Sequence, residues 1–295
     1  MRHFLEMDDL SEKELGEVLA LADPHRAEPV LAGRGVALIF EKPSNRTRNA
    51  FEMAAVQLGG HPVSIRGEEI GLGVRETVED VTKVLARYHS IIGARVYDHG
   101  HLESMVSVEQ VPILNLLSDF SHPTQIVADL ITLTDRWGSL SGRTVAWVGD
   151  GNNVARSLVL GAAVAGMNVR LACPPGHQVD PVAADGARAR GVEIVETTDP
   201  AEAVSGADCV YTDVWVSMGQ EGEAASRLDA FAGYRVTEDL MSLAAPDAVF
   251  LHCLPAHRGL EVDAAVIDGP ASAVWDQAEN RMHAARALFL WLMQQ

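Results

Sequence analysis

The segment of this sequence best suited to chemistry is residues 41–48 (EKPSNRTR), which follow an apolar run and precede a helical pattern. Its Pro-Ser pair is expected to turn a strand into a helix, whose first N–H groups and positive dipole end favour anions. Arg46 and Arg48 add charge and paired donors that suit phosphate oxygens, while Ser44 and Thr47 add hydroxyl groups. The segment therefore predicts a phosphate site, although a capped helix with solvated arginines is the simpler alternative.

A second polar group follows the apolar residues 111–114. His122 is predicted at a helix start, where the positive end of the dipole disfavours its protonated form. A neutral imidazole in that place can donate a hydrogen bond to a carbonyl oxygen, and Gln125 lies at the same end of the helix. A histidine that only caps the helix is the alternative.

Residues 149–154 (GDGNNV) resemble a dinucleotide-binding glycine loop, but Val154 stands where the pattern has its third glycine. The two asparagines suit a polar, zwitterionic ligand better than a pyrophosphate. Asp213 follows another apolar run, and a carboxylate at a strand end can pair with an amine. Ser217 and Met218 lie on a glycine-flanked loop that could close over a ligand or could simply be a surface loop.

Two more polar groups lie towards the C-terminus. Residues 252–255 (HCLP) follow an apolar run, and Cys253 is either a nucleophile or a packed thiol whose backbone carbonyl faces a ligand. Residues 279–281 (ENR) are expected to begin the last helix, and they add one more arginine to the site.

These groups are separated by alternating strand and helix patterns. A capping box at Ser11 and Glu14 predicts a first helix that ends near Asp23. Predicted strands lie at 36–40, 62–65, 90–96, 111–114, 145–148, 169–172, 192–195, 209–212 and 249–251. Predicted helices lie at 46–58, 77–88, 122–137, 153–166 and 277–293. The alternation predicts an α/β protein with doubly wound parallel sheets, which bind ligands beyond the carboxyl ends of their strands.

A chain of 295 residues is long for one hydrophobic core, so two domains are expected. The turn-rich residues 138–142 (GSLSG) mark the boundary, which predicts one domain over 1–135 and another over 136–276.

The formal net charge of −18 argues against nucleic acid and anionic membranes as partners. The three cysteines, Cys173, Cys209 and Cys253, have neither a disulfide framework nor zinc spacing, which predicts thiols in the cytoplasm and no metal site. The N-terminus lacks a signal-peptide pattern, and no apolar run reaches the roughly 20 residues that span a bilayer.

Taken together, the motifs at 44–48, 122–125, 213–219, 252–255 and 279–281 resemble those of the ornithine carbamoyltransferase family, in the same order and across nearly the whole chain. The resemblance implies two α/β domains with an active-site cleft between them, the first binding carbamoyl phosphate and the second ornithine. It also implies that helix 277–295 packs back on the first domain, that the protein forms a homotrimer or a multiple of one, and that no cofactor is needed.

The resemblance further implies a role for individual residues. Arg46, Arg95, His122, Asp213 and Cys253 would form the catalytic set. Carbamoyl phosphate would be bound by Ser44, Asn45, Arg46, Thr47, Arg48, Arg95, His122, Gln125, Cys253, Leu254 and Arg281. Ornithine would be bound by Asn153, Asp213, Ser217 and Met218. The implied reaction is attack of the ornithine side-chain amine on the carbamoyl carbon, which gives citrulline and phosphate and would serve arginine biosynthesis.

Two positions depart from the family pattern. Asn45 replaces the usual Thr but keeps a donor of similar size, and Gly71 stands where the family tends to have Gln before a Leu-Gly pair. Three other functions stay open. They are carbamoyl transfer to putrescine, acetylornithine, lysine or aspartate, a nicotinamide-dependent oxidoreductase using the glycine loop, and a catalytically inactive relative.

Overall fold

The computed structural model describes residues 1–26, 28–216 and 221–294, and within them nine strands form two entirely parallel sheets. The strands are β1 (Gly35–Phe40), β2 (His61–Arg66), β3 (His89–Arg95), β4 (Ile113–Leu117), β5 (Thr144–Val148), β6 (Asn168–Ala172), β7 (Ile194–Thr197), β8 (Cys209–Thr212) and β9 (Val249–His252).

The helices are α1 (Glu12–Leu21), α2 (Arg46–Gln57), α3 (Gly67–Ile70), α4 (Val78–Leu85), α5 (His99–Val106), α6 (Pro123–Trp137), α7 (Asn153–Val164), α8 (Pro181–Ala189), α9 (Pro200–Val204), α10 (Ala224–Ala230), α11 (Glu238–Met241), α12 (Ala264–Ile267) and α13 (Val274–Met293). Short 3₁₀ helices lie at Met7–Asp9 and Glu221–Glu223. None of the helices in the described part of the chain combines the length and the apolar character that a membrane span requires.

The chain divides into two compact units, Met1–Ile131 with Glu279–Gln295, and Thr132–Ala278. In the first unit the sheet order is β2-β1-β3-β4. The order reverses between β1 and β3, so the carboxyl ends of these two strands flank the crevice where doubly wound sheets bind ligands. Phe40 at the end of β1 is in register with Arg95 at the end of β3, which places the two following segments side by side.

Helix α13 is fastened to the first unit by both apolar and polar contacts. Phe289 packs edge-on against Phe51 of α2, with ring centroids 5.6 Å apart. The buried guanidinium of Arg286 donates to the backbone oxygens of Ala22 at 3.2 Å and Asp23 at 2.6 Å, just after α1. Ala22 is the C-cap residue of α1, so Arg286 supplies a donor at the end of one helix while it positions another.

In the second unit the sheet order is β7-β6-β5-β8-β9, and the reversal lies between β5 and β8. Strands β5, β8 and β9 are buried on both sides, as in sheets covered by helices on both faces. The rings of Trp147 on β5 and Tyr211 on β8 lie 5.0 Å apart and fix the spacing of these two strands within the core.

The prediction of two α/β domains with parallel sheets is confirmed. Several predicted bounds are wrong by two or more residues; for example, the strand predicted at 111–114 is β4, Ile113–Leu117. The strand predicted at 192–195 is observed at Ile194–Thr197 as β7. Glu193 lies before the strand, where its N–H donates to the Asn168 side chain. The last helix begins at Val274 rather than 277, and the Val274 N–H donates to Ser272 Oγ at 3.5 Å.

Candidate active site

The first candidate half-site lies at the start of α2, after β1. Asn45 is the N-cap residue, but it has helical dihedral angles and makes no side-chain capping hydrogen bond. Its Oδ1 instead accepts from Asn49 Nδ2 at 3.1 Å. The positive end of the twelve-residue α2 is therefore not neutralised by its own cap, which is the arrangement that favours an anion there.

Three distant segments converge on the hydroxyl group of Thr47. This buried oxygen accepts from a guanidinium nitrogen of Arg281 on α13 at 2.5 Å and from one of Arg95, the last residue of β3, at 3.5 Å. Both arginines are 7% exposed. Two nearly buried guanidinium groups thus converge on one neutral hydroxyl group, and their paired donors suit the oxygens of an anionic ligand.

Two further residues extend the basic cluster. Arg46 is partly buried, and its Nε has no hydrogen-bond partner among the described residues. Ser44 precedes it and is also partly buried. Arg48 differs, since it is half exposed and its Nε donates to Glu52 one turn along α2 at 2.8 Å. Arg48 thus lies in a surface ion pair, and its predicted contact with phosphate stays a prediction.

His122 lies immediately before α6 and is almost fully buried. Burial, together with the charges of Arg281 and Arg95, holds the pKa of its imidazole well below the usual value. The ring is consequently neutral near pH 7, with Thr124 Oγ1 at 3.5 Å from Nδ1. A neutral imidazole beside two cations can donate a hydrogen bond to a carbonyl oxygen, as the sequence predicted.

Lys42 belongs to the basic cluster around Thr47, although no role was predicted for it from the sequence. Its side chain is only 9% exposed, and its ammonium group lies 4.4 Å from the centre of the Tyr97 ring. Burial and the neighbouring charge of Arg95 lower the pKa of Lys42. The available sequence signal was its place, directly after a buried strand and before the predicted phosphate turn.

The second candidate half-site is centred on Asp213, which follows β8 and is almost buried. Its Oδ1 accepts from Cys253 Sγ at 2.9 Å, and its Oδ2 accepts from Asn152 Nδ2 at 2.9 Å. Asn152 also caps α7 by accepting the N–H groups of Val154 and Ala155. One side chain therefore fixes both the helix and the carboxylate. The sequence motif had predicted Asn153, the first residue of α7, as the ornithine contact.

Cys253 and Leu254 are held by a hydrogen-bonded chain after β9. The N–H of His252 donates to Gln277 Oε1 at 3.0 Å, and the N–H of Leu254 donates to His252 Nδ1 at 2.9 Å. Leu254 has a φ of 59°, and the Leu254–Pro255 peptide bond is cis. These contacts fix the direction of the backbone carbonyl groups at this turn.

Asp213, His252 and Cys253 also place possible metal-ligand atoms within 4.8 Å of one another. However, Cys253 Sγ already donates to Asp213, and His252 Nδ1 already accepts the Leu254 N–H. The three side chains serve one another and the backbone, which is the simpler account of their clustering.

A buried ion pair braces the two loops of this half-site. The guanidinium of Arg227 pairs with Asp150, which follows β5, and its Nε donates to the Trp215 backbone oxygen at 2.6 Å. Asp150 lies two residues before Asn152, and Trp215 two residues after Asp213. Arg227 therefore joins the segments that carry the Asn152–Asp213 contact. Ser217 and Met218, the other predicted ornithine ligands, lie outside the described residues.

The two sequence halves each match a model of one protein family. The model for the "Aspartate/ornithine carbamoyltransferase, carbamoyl-P binding domain" matches residues 2–135, and that for the "Asp/Orn binding domain" matches residues 141–292. The chain belongs to the aspartate/ornithine carbamoyltransferase family. The resemblance found in its motifs is thereby confirmed.

Individual members of the family are similar over their whole length. The ornithine carbamoyltransferase of Mycolicibacterium gilvum is 49% identical, with 99% of each chain covered. That of Acidothermus cellulolyticus is 47% identical, with 99% of this chain and 97% of the other covered. The solved structure of the Pyrococcus furiosus ornithine carbamoyltransferase matches with a TM-score of 0.95 and 42% identity, covering 99% and 97% of the two chains.

Proposed function

We propose that this protein transfers the carbamoyl group of carbamoyl phosphate to the side-chain amine of L-ornithine, giving L-citrulline and phosphate. The observation that carries the proposal is the convergence of Arg95 and Arg281 on Thr47, beside the neutral His122. This group combines fixed positive charge for a phosphate with donors for a carbonyl oxygen. The full-length similarity to ornithine carbamoyltransferases supports the same reaction.

The basic half-site is assigned to carbamoyl phosphate. Arg46 and the N–H groups at the start of α2 neutralise the phosphate, which leaves when the tetrahedral intermediate collapses. Arg95, Thr47 and His122 donate to the carbamoyl oxygen as negative charge develops on it. A donor of this kind typically lowers the barrier by roughly 2.7–4 kcal/mol. Further contacts are assigned to Ser44, Asn45, Arg48, Gln125, Cys253, Leu254 and Arg281.

The acidic half-site is assigned to ornithine. The Asp213 carboxylate pairs with the α-ammonium group, because the Asn152 amide and the Cys253 thiol that hold it are neutral donors, so they do not cancel its negative charge. Cys253 positions that carboxylate through its thiol rather than attacking the substrate. Asn153, Ser217 and Met218 complete the proposed ornithine contacts. Direct transfer then requires the amine nitrogen to reach the carbamoyl carbon.

The reaction should accelerate as the pH rises, because the attacking amine must lose a proton whose ordinary pKa is about 10. Its pH dependence should come from the substrate, since burial and the nearby arginines keep His122 neutral through this range. The check is kcat/KM for ornithine from pH 6 to 9. A flat profile at subsaturating ornithine would contradict direct attack by the amine.

The wider cellular assignments rest on family resemblance. They are a homotrimer or a multiple of one, a cytoplasmic location and a place in arginine biosynthesis, with no metal or organic cofactor. Sedimentation of the purified protein tests the first of these, because a monomer at assay concentration would exclude the proposed assembly.

The deciding experiment offers the protein carbamoyl phosphate with ornithine, putrescine, lysine, acetylornithine or aspartate, and quantifies each carbamoylated product together with phosphate. We expect citrulline and phosphate in equal amounts from ornithine, and no product from the other amines. A product with another amine would overturn the role of Asp213. Wild-type protein that forms no product with any amine would refute carbamoyl transfer.

A further inference from the structure

Gln125 and Asp129 form a buried pair one turn apart on α6. Both side chains are 0% exposed, and the Gln125 amide nitrogen donates to Asp129 Oδ1 at 2.8 Å. A carboxylate oxygen can only accept, so the NH₂ end of the Gln125 amide must be the end that meets it. The oxygen and nitrogen ends of a glutamine amide have nearly the same shape, so shape alone does not determine which way the amide faces. The hydrogen bond to Asp129 determines it here.

This orientation leaves the amide oxygen of Gln125 directed away from Asp129. The Gln125 Oε1 atom is buried and has no hydrogen-bond partner among the described residues. A buried acceptor without a donor is unfavourable, and such atoms are uncommon in folded proteins. Gln125 lies in the first turn of α6, and its N–H donates to the His122 backbone oxygen at 3.1 Å. Because this places Gln125 one turn after His122, its unpaired acceptor is assigned to the basic half-site.

The charged side chains of the basic half-site are all donors. Arg46, Arg95 and Arg281 can only donate, and Thr47 already accepts from two of them. Carbamoyl phosphate presents oxygens that accept from such groups, but it also carries one group that must donate, its NH₂. Beside these charged donors, the Gln125 oxygen is an acceptor that complements that NH₂ group.

We infer that Asp129 is a positioning residue that turns the Gln125 oxygen towards the carbamoyl NH₂ group, and thereby selects carbamoyl phosphate over acyl phosphates that lack it. The inference rests on the proposed function and adds a determinant of its donor substrate. Acetyl phosphate has the same phosphate and carbonyl groups but a methyl group in place of the amine. It would leave the Gln125 oxygen buried and unpaired, which is how a polar site rejects a close analogue.

The test compares wild type with Asp129→Asn, which keeps the size of the side chain but offers Gln125 both a donor and an acceptor. The Gln125 amide can then flip and turn its NH₂ group towards the carbamoyl NH₂ group. We measure kcat/KM for carbamoyl phosphate, and the Ki values of acetyl phosphate and inorganic phosphate as competitors. We expect kcat/KM to fall about tenfold or more, while both Ki values change less than about twofold.

The outcomes separate positioning from a general structural role. Equal weakening of carbamoyl phosphate, acetyl phosphate and inorganic phosphate in Asp129→Asn would overturn the inference. If wild type does not use carbamoyl phosphate at all, the proposed function fails instead. Gln125→Met should lose the same discrimination, and adding Asp129→Asn to it should cause little further loss. Fully additive losses would show that Asp129 does not act through Gln125.

A measurement on wild type covers the case in which Asp129→Asn does not fold. In nitrogen-15 spectra, the side-chain NH₂ protons of Gln125 should exchange with solvent far more slowly than those of the exposed Gln110. Exchange as fast as that of Gln110 would contradict a fixed amide orientation.

Discussion

The two candidate half-sites are built with opposite charge. In the first unit, Lys42, Arg95 and Arg281 surround a hydroxyl group and a neutral imidazole. In the second, neutral donors from Asn152 and Cys253 surround one carboxylate. The net charge of −18 describes neither half, because each local field is set by a few buried side chains. Charge inside a site must therefore be read residue by residue.

The half-sites also differ in how widely their residues are spread over the elements of the fold. The basic half gathers residues from the starts of α2 and α6, the end of β3 and α13, so it depends on the return of α13 to the first unit. The acidic half is assembled at the ends of β5, β8 and β9, which are neighbours in one sheet. Defects in residues 279–293 of α13, which belong to the first unit, should therefore harm the basic half more than the acidic half.

The largest expected effect comes from removing a buried cation of the basic half. Arg95→Gln should lower kcat by roughly 100- to 1,000-fold, because a donor to the developing oxyanion is lost. Arg258→Gln is the matched control, since Arg258 lies in an exposed ion pair with Asp268 and should retain nearly wild-type kcat. Steady-state citrulline formation measures both. Similar losses in the two variants would remove the special role of the basic half.

The acidic half is tested next by separating the two contacts of Asn152. Asn152→Ser keeps a side chain that can cap α7 but loses the amide donor to Asp213. We expect the KM for ornithine to rise about tenfold with little change in thermal stability. Asn153→Ser is the matched comparison for the residue that the sequence favoured. A larger effect at Asn153 would show that orientation of Asp213 by Asn152 is unimportant.

The third prediction concerns Gly71, which stands where the family tends to have Gln, and asks whether the backbone requires glycine there. It ends α3 with a φ of +62°, and an added Cβ would lie 3.0 Å from Arg75 Cβ. Gly71→Gln should therefore reduce the free energy of unfolding by about 1–2 kcal/mol. Urea denaturation checks this. Improved stability together with a lower KM for carbamoyl phosphate would instead identify Gly71 as a missing phosphate contact.

A smaller effect should appear in the pH dependence of stability. The pKa of His122 is lowered in the folded protein, so its contribution is present above the unfolded value of 6.5 and is lost as the pH falls towards the folded pKa. Between pH 7.5 and 5.5, wild type should lose about 1 kcal/mol more free energy of unfolding than His122→Gln. Equal losses in urea titrations would mean that His122 is not held neutral.

Many residues of the half-sites could be predicted from the sequence, because the carboxyl ends of parallel strands lie at the same edge of a sheet and ligands bind beyond them. Arg95, His122 and Asp213 each follow or end a readable strand, so their chemistry and order were visible. Pairings across the fold were not. The sequence alone does not distinguish Asn152 from its neighbour Asn153. In the structure Asn152 is the N-cap of α7, and its side chain contacts Asp213.

Other residues were hidden for different reasons. The Arg227–Asp150 pair joins residues 77 positions apart, and no local pattern predicts it. Arg48 looked like Arg46 in sequence, but Glu52 one turn later provides it with a surface partner. Small helices such as α8 were missed because their buried faces consist of alanines, which give a weak periodic signal.

The central claim, that each half-site binds its own substrate, is tested most directly by measuring both kcat/KM values in Asp213→Asn and Arg281→Gln. The account predicts a crossed result. Asp213→Asn should lower kcat/KM for ornithine about tenfold or more and that for carbamoyl phosphate about twofold or less, while Arg281→Gln should do the reverse. Equal losses for both substrates in each variant would contradict the separation of the two half-sites.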